Sequence, residues 1–135
     1  MNKVCIKMES LPANISFARV AVTAFISPID PLVTETSDIK TAVSEAVTNA
    51  VIHGGPDPFE MVLSLHEKKI TIEVSDNGIG IEDIEAARQP LFTTKEDMER
   101  SGLGFTVMES FMDTVEIEST PGNGTKVIMT KSLQG

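Results

Sequence analysis

The sequence predicts an α+β fold, a two-layer sandwich whose mixed, mostly antiparallel sheet is covered by helices on one face, in one domain spanning residues 1–135. Three observations carry that expectation. Candidate elements run β, α, α, β, β, loop, α, β, β, and strands that follow one another directly favour antiparallel pairing. Two early segments repeat their apolar positions at helical spacing. Hydrophobic residues make up 41% of 135, enough for one ordinary core and too many for a disordered acidic chain.

Val4, Ile6 and Met8 alternate with polar residues, as in a short strand. Leu11 to Ser27 carries Ile15, Phe17, Ala18, Val20, Ala21, Phe25 and Ile26 mostly at helical spacing, and Pro28 closes it. The residues from Phe17 to Ile26 are expected in the core ahead of an interface. A long helix follows, from Leu32 or Thr34 to His53, ended by Gly54-Gly55. Met61–Leu65 and Ile70–Val74 form a strand pair across a tight turn, and Val115–Glu118 and Lys126–Met129 form another across Pro121-Gly122-Asn123-Gly124. Gly102 to Met112 reads as a helix. Between the two pairs, residues 77–101 form a Gly-punctuated segment with short helices at most, near Ile84–Ala87 and Glu96–Glu99. A loop of about 25 residues in so small a domain points to a lid or binding loop.

Composition excludes several functions. The net charge of −9, from 11 Lys+Arg against 20 Asp+Glu, argues against direct nucleic-acid binding, which needs clustered cations. No apolar run approaches the roughly 18–20 residues of a membrane span, and the N-terminus lacks a signal-peptide pattern. The single cysteine, Cys5, excludes an internal disulfide framework and suits a cytoplasmic location. Two histidines and one cysteine are too few for a usual zinc site.

Four short motifs carry chemistry. On the long helix, Ile39, Val43, Ala46, Val47 and Ala50 share one face, and Glu45, Asn49 and His53 form a polar stripe along its edge. Glu45 can take a proton from an attacking hydroxyl, and the Asn49 amide oxygen is a hard ligand suited to Mg²⁺. A merely solvated helix edge is the competing reading. Asp76-Asn77-Gly78-Ile79-Gly80 follows a strand, so the carboxylate can accept from an exocyclic amine such as that of adenine; a plain turn competes equally. Ser101-Gly102-Leu103-Gly104-Phe105 places Ser101 as an N-cap and leaves backbone N–H groups at a positive helix end, an anion site. Thr93, Thr94, Lys95 and Arg100 lead into it with hydroxyls and cations, against a reading as ordinary loop residues. Gly122-Asn123-Gly124-Thr125 is a hairpin turn that matters for its company.

In this order, Glu45-x-x-x-Asn49-Ala50-x-x-His53, Asp76-x-Gly78-x-Gly80, Gly102-Leu103-Gly104-Phe105 and Gly122-x-Gly124-Thr125 resemble the ATP-binding (Bergerat, or GHKL) domain. Gyrase-type ATPases, a class of heat-shock chaperones, sensor histidine kinases and some mismatch-repair ATPases share that domain. Ser44 to Gly54, Ala86 to Lys95, Glu99 to Phe105 and Ser16 to Val20 resemble, more closely, the anti-sigma F factors of endospore-forming bacteria. The resemblance spans essentially the whole chain and departs from the family pattern at Gly55–Phe59, which is short and proline-rich.

The resemblance implies a dimeric protein serine kinase, with ATP and Mg²⁺, that binds sigma factor F and phosphorylates a serine of an anti-anti-sigma factor. By it, Glu45 would be the general base, Asn49 would bind Mg²⁺, Asp76 would read the adenine amine, and Gly78 and Gly80 would shape that pocket. Ser101, Gly102 and Gly104 would meet phosphates, with Leu103 and Thr125 in the same ATP-binding set. Thr93, Thr94, Lys95 and Arg100 would belong to the lid, and Arg19 to the partner surface. A stress-response kinase of the same family, or a nucleotide-gated sigma-binding module without kinase activity, would share most of these residues. A sensor histidine kinase is disfavoured because no histidine precedes the Glu45 motif.

Overall fold

Alternating apolar residues place five strands edge to edge in the computed structural model, which describes residues 1–78, 96–119 and 122–134, the side chains of 96–103 excepted. The strands are β1 (Asn2–Met8), β2 (Phe59–His66), β3 (Lys69–Asp76), β4 (Thr114–Ser119) and β5 (Thr125–Ser132). Their order in the sheet is β1-β2-β3-β5-β4, so β1 and β4 are its edges. All four pairings are antiparallel, so the mixed, mostly antiparallel sheet expected from the sequence carries no parallel pair among the described residues. Strands β3 and β4 run in the same direction across the α3 connection, but β5 lies between them, so they form no parallel pair.

Register aligns the apolar positions in rows across the sheet. Leu63 faces Ile72 and Ile72 faces Met129; Met61 faces Val74 and Val74 faces Val127. These side chains are buried, whereas Glu60, Thr71 and Glu73, on the alternate positions, are exposed or half-buried. One sheet face therefore supports the helices and the other is polar.

Helix α1 (Ala13–Ile26) ends at a short 3-10 turn, Ser27–Ile29, in which Pro28 cannot extend the α-helix. Helix α2 (Val33–His53) follows, and α3 (Glu96–Phe111) precedes β4. Helix α2 lies between the other two and against β3. Its buried residues Ile39, Ala42, Val43, Ala46, Val47 and Ala50 contain the whole apolar stripe expected from spacing. Near its start, the buried Glu35 carboxylate accepts from Leu32 N–H (2.9 Å) and Gln134 N–H (2.8 Å), tying the C-terminal segment to the helix. Along α1, Ala18, Val22, Phe25 and Ile26 enter the core while Phe17 and Val20 face out, half and two-thirds exposed.

Helix α3 joins the short helix expected near Glu96–Glu99 to the helix expected from Gly102. It is continuous from Glu96, so Ser101 lies in its second turn and is not the N-cap. Gly80, Thr93, Thr94, Lys95 and the short helix expected at Ile84–Ala87 lie outside the described residues.

Candidate nucleotide and phosphoryl-transfer site

The 21-residue α2 carries Glu45, Asn49 and His53 on successive turns, and all three are half-buried along the edge of its apolar face. Gly104 of α3 comes down on the first two. A Cβ added there would lie 3.2 Å from Glu45 Oε2 and 3.3 Å from Asn49 Nδ2. Only a residue without a side chain lets α3 approach so closely, and the approach brings the carboxylate and the amide to one point. The Asn49 Nδ2 atom is buried without a hydrogen-bond partner among the described residues. A buried polar group left unpaired costs free energy, so this amide calls for a partner beyond the described residues. Its hard amide oxygen beside a carboxylate suits Mg²⁺, which takes few protein oxygens and keeps water and phosphate for the rest.

The second half of the site lies at the other end of α2. Asp76 is the last residue of β3, in register with Thr125 of β5. Gly78 N–H donates to Asp76 Oδ1 at 2.9 Å, and the Thr125 backbone also donates to this carboxyl. Burial raises the Asp76 pKa above the ordinary aspartate value; the Gly78 and Thr125 hydrogen bonds and the nearby His53 oppose it in that order. The carboxyl therefore stands in a partly desolvated place with acceptor capacity to spare. His53 Nε2 is buried and lacks a partner among the described residues.

Backbone packs tightly around Asp76. A Cβ on Gly78 would come 2.6 Å from the His53 carbonyl oxygen and 2.7 Å from Gly54 Cα, and one on Gly54 would come 2.7 Å from Asp76 Cβ. Gly124, at φ +85°, abuts the Asp76 backbone; its Cβ would lie 2.9 Å from Asn77 Cα. These contacts fix the carboxylate relative to the end of α2. From Glu45 to Gly54 the helix rises about 13 Å. That span is comparable with the reach of an extended ATP from its adenine amine to its terminal phosphate.

The sequence-based set thus separates into groups. Glu45, Asn49 and Gly104 meet, as do Asp76, Gly78 and Thr125. Arg100, Ser101, Gly102 and Leu103 lie in the first turns of α3. In a continuous helix only the first four N–H groups are free, so the anion site expected at a helix end by Ser101 is not formed in this conformation. Arg19 is on α1 and donates to Ser44 Oγ (3.3 Å) and Ser16 Oγ (3.1 Å), next to Glu45. Sequence reasoning missed the contacts of Gly54 and Gly124 with Asp76. A glycine beside each motif was the available signal, but its contact partner is distant in sequence.

Comparison with known proteins identifies the family. The family model of the histidine kinase-like ATPase domain matches residues 8–131. An anti-sigma F factor of Clostridium novyi (strain NT) is 54% identical over 98% of this chain and 96% of its own. Another, from Thermoanaerobacter sp. (strain X514), is 54% identical over 98% and 94%. Among solved structures, that of the RsbU and RsbW domains of Rv1364c from Mycobacterium tuberculosis superposes with a TM-score of 0.71 over 98% of this chain at 18% identity, a likeness of fold. The present chain spans 32% of that longer one. With identity above one half along nearly its full length, and with the ATPase-domain model covering both halves of the site, the chain belongs to the anti-sigma F factor family.

Proposed function

We propose that the chain binds ATP·Mg²⁺ between α2 and α3, phosphorylates a serine of an anti-anti-sigma factor, and holds sigma factor F inactive as a homodimer. The convergence of Glu45 and Asn49 beneath Gly104 is the observation that supports it most directly. Phosphoryl transfer requires an aligned hydroxyl and charge stabilisation around the moving group. Glu45 takes the proton of the serine hydroxyl, and Asn49 presents its amide oxygen to the metal. Bound Mg²⁺ supplies positive charge across phosphate oxygens. Asp76 accepts from the adenine amine, within a pocket shaped by Gly78 and Gly80 and closed by Thr125. Thr93, Thr94, Lys95 and Arg100 serve the terminal phosphate from the lid. For Ser101, Gly102, Leu103 and Gly104 to present amides to the phosphates, the first turns of α3 must open, which makes nucleotide and lid conformation interdependent. Arg19 belongs to the partner surface. The retained general base favours a kinase over a sigma-binding module without catalysis.

The test combines the protein with labelled ATP·Mg²⁺ and the anti-anti-sigma protein, and maps the phosphate by mass spectrometry. We expect phosphoserine on the partner. Phosphate on a histidine of this chain, or none on the partner while nucleotide still binds, overturns the kinase reading. Glu45→Gln is expected to lower transfer by about 100-fold or more while ATP affinity stays within a few-fold. Full transfer by that variant would remove Glu45 from the mechanism.

A further inference from the structure

A groove of about 520 Å³ runs between α1 and α2 and ends at Glu45. Its walls carry Arg19 and Val20 from α1, and Lys40, Thr41 and Ser44 from α2. Among the described residues, Glu45 is the only acidic one lining it, although the chain carries 20 acidic residues against 11 basic ones. Arg19 is spread against the Ser16 and Ser44 hydroxyls, which use two of its five N–H donors and leave the rest available. Lys40 is exposed. Among the described residues, neither cation is ion-paired with a carboxylate; the pair present, Lys131 with Asp38 at 3.8 Å, lies elsewhere.

The groove thus offers unpaired positive charge, hydroxyls and an exposed valine, leading to the residue that takes the acceptor proton. We infer that it seats the serine-bearing segment of the protein substrate and that Lys40, with Arg19 opposite, selects a carboxylate flanking that serine; this rests on the kinase reading of Glu45. Spacing gives the position. Glu45 lies five positions beyond Lys40 on α2, a rise of about 7.5 Å with a rotation of about 140°, so their side chains flank the groove about 7–10 Å apart. An extended peptide advances about 3.3 Å per residue, so the selected carboxylate lies about two residues from the acceptor serine. The ligand is an acidic peptide segment in extended conformation. Lys40 contacts no nucleotide or reacting atom in this arrangement and acts as a specificity determinant.

The experiment measures equilibrium binding by fluorescence anisotropy, at low salt, of two nine-residue serine peptides to the full chain. One peptide carries glutamates two residues to either side of the serine, and the other carries glutamines there. The acidic peptide is expected to bind about tenfold more tightly. Lys40→Glu removes the preference, and Lys40→Arg retains it. Equal affinity for the two peptides, absence of measurable binding by either, or a preference that survives Lys40→Glu overturns the inference. Tighter binding of a third peptide with lysines at those positions overturns it as well. Phosphate transfer to the acidic peptide is followed in parallel. Acid-selective binding without transfer refutes the kinase reading and keeps the groove, whereas transfer without acid selectivity refutes the groove alone.

Discussion

Asp76 concentrates a conflict between stability and binding in one side chain. Burial raises its pKa, so between the unfolded value of about 3.9 and the higher folded value the native state holds more protons than the unfolded chain. Stability therefore falls as pH rises through that window, and above it the cost of the buried charge is constant. Asp76→Asn removes the ionisation and keeps an oxygen for the Gly78 N–H. The melting temperature of this variant, relative to the unsubstituted protein, should increase from pH 4 to pH 7. Its ATP affinity should drop about tenfold or more, since an amide is a weaker acceptor for an amine than a carboxylate. Thermal scans across pH and nucleotide titration check the two effects; a relative melting temperature that falls with pH would contradict the burial of charge. The acid at the strand end was legible in the sequence. Its desolvation was not, because Gly54, His53 and Thr125 reach it from elements far apart along the chain.

At the level of elements, α2 was legible almost to the residue because its apolar positions keep the helical period for about three turns, from Ile39 to Ala50. The continuity of α3 from the short helix near Glu96–Glu99 into the Gly102 segment was not. Glu96-Asp97-Met98-Glu99-Arg100 lacks an apolar stripe, and the periodic signal begins only with Phe105, Met108 and Met112, all buried. Glu, Met and Arg are nevertheless good helix formers, and that propensity is the signal periodicity overlooks. Packing of α3 on α2 leads to a prediction at Gly104. Alanine there gains about 1 kcal/mol of helix propensity, and its methyl carbon meets Glu45 and Asn49 at 3.2–3.3 Å, tighter than ordinary contact. Gly104→Ala should leave thermal stability within about 1 kcal/mol of the original and lower both ATP·Mg²⁺ affinity and transfer rate. Unchanged affinity and rate would show that the pair has room to move.

Over the whole molecule, a net charge of −9 sets the background against which each cation acts. Like charges repel within the compact state, and raising ionic strength from ~0.01 to ~0.15 M shortens the screening length from about 30 to about 8 Å. The melting temperature should rise over that range. A fall would mean that attractive pairs such as Lys131–Asp38 outweigh the repulsion, which a half-exposed ion pair seldom does. The sheet order has a consequence for synthesis. Strand β1 leaves the ribosome first, yet its partner is β2, with Met8 opposite Phe59 and Asn2 opposite Leu65. At about 5–20 residues per second, the first strand waits seconds for a neighbour. Strand β3 waits a similar time for its second neighbour, because Asp76 is completed only by Thr125. A chain still in translation would thus hold the Glu45 helix well before the Asp76–Thr125 pair exists, and the two halves of the site would stand together only once β5 has emerged.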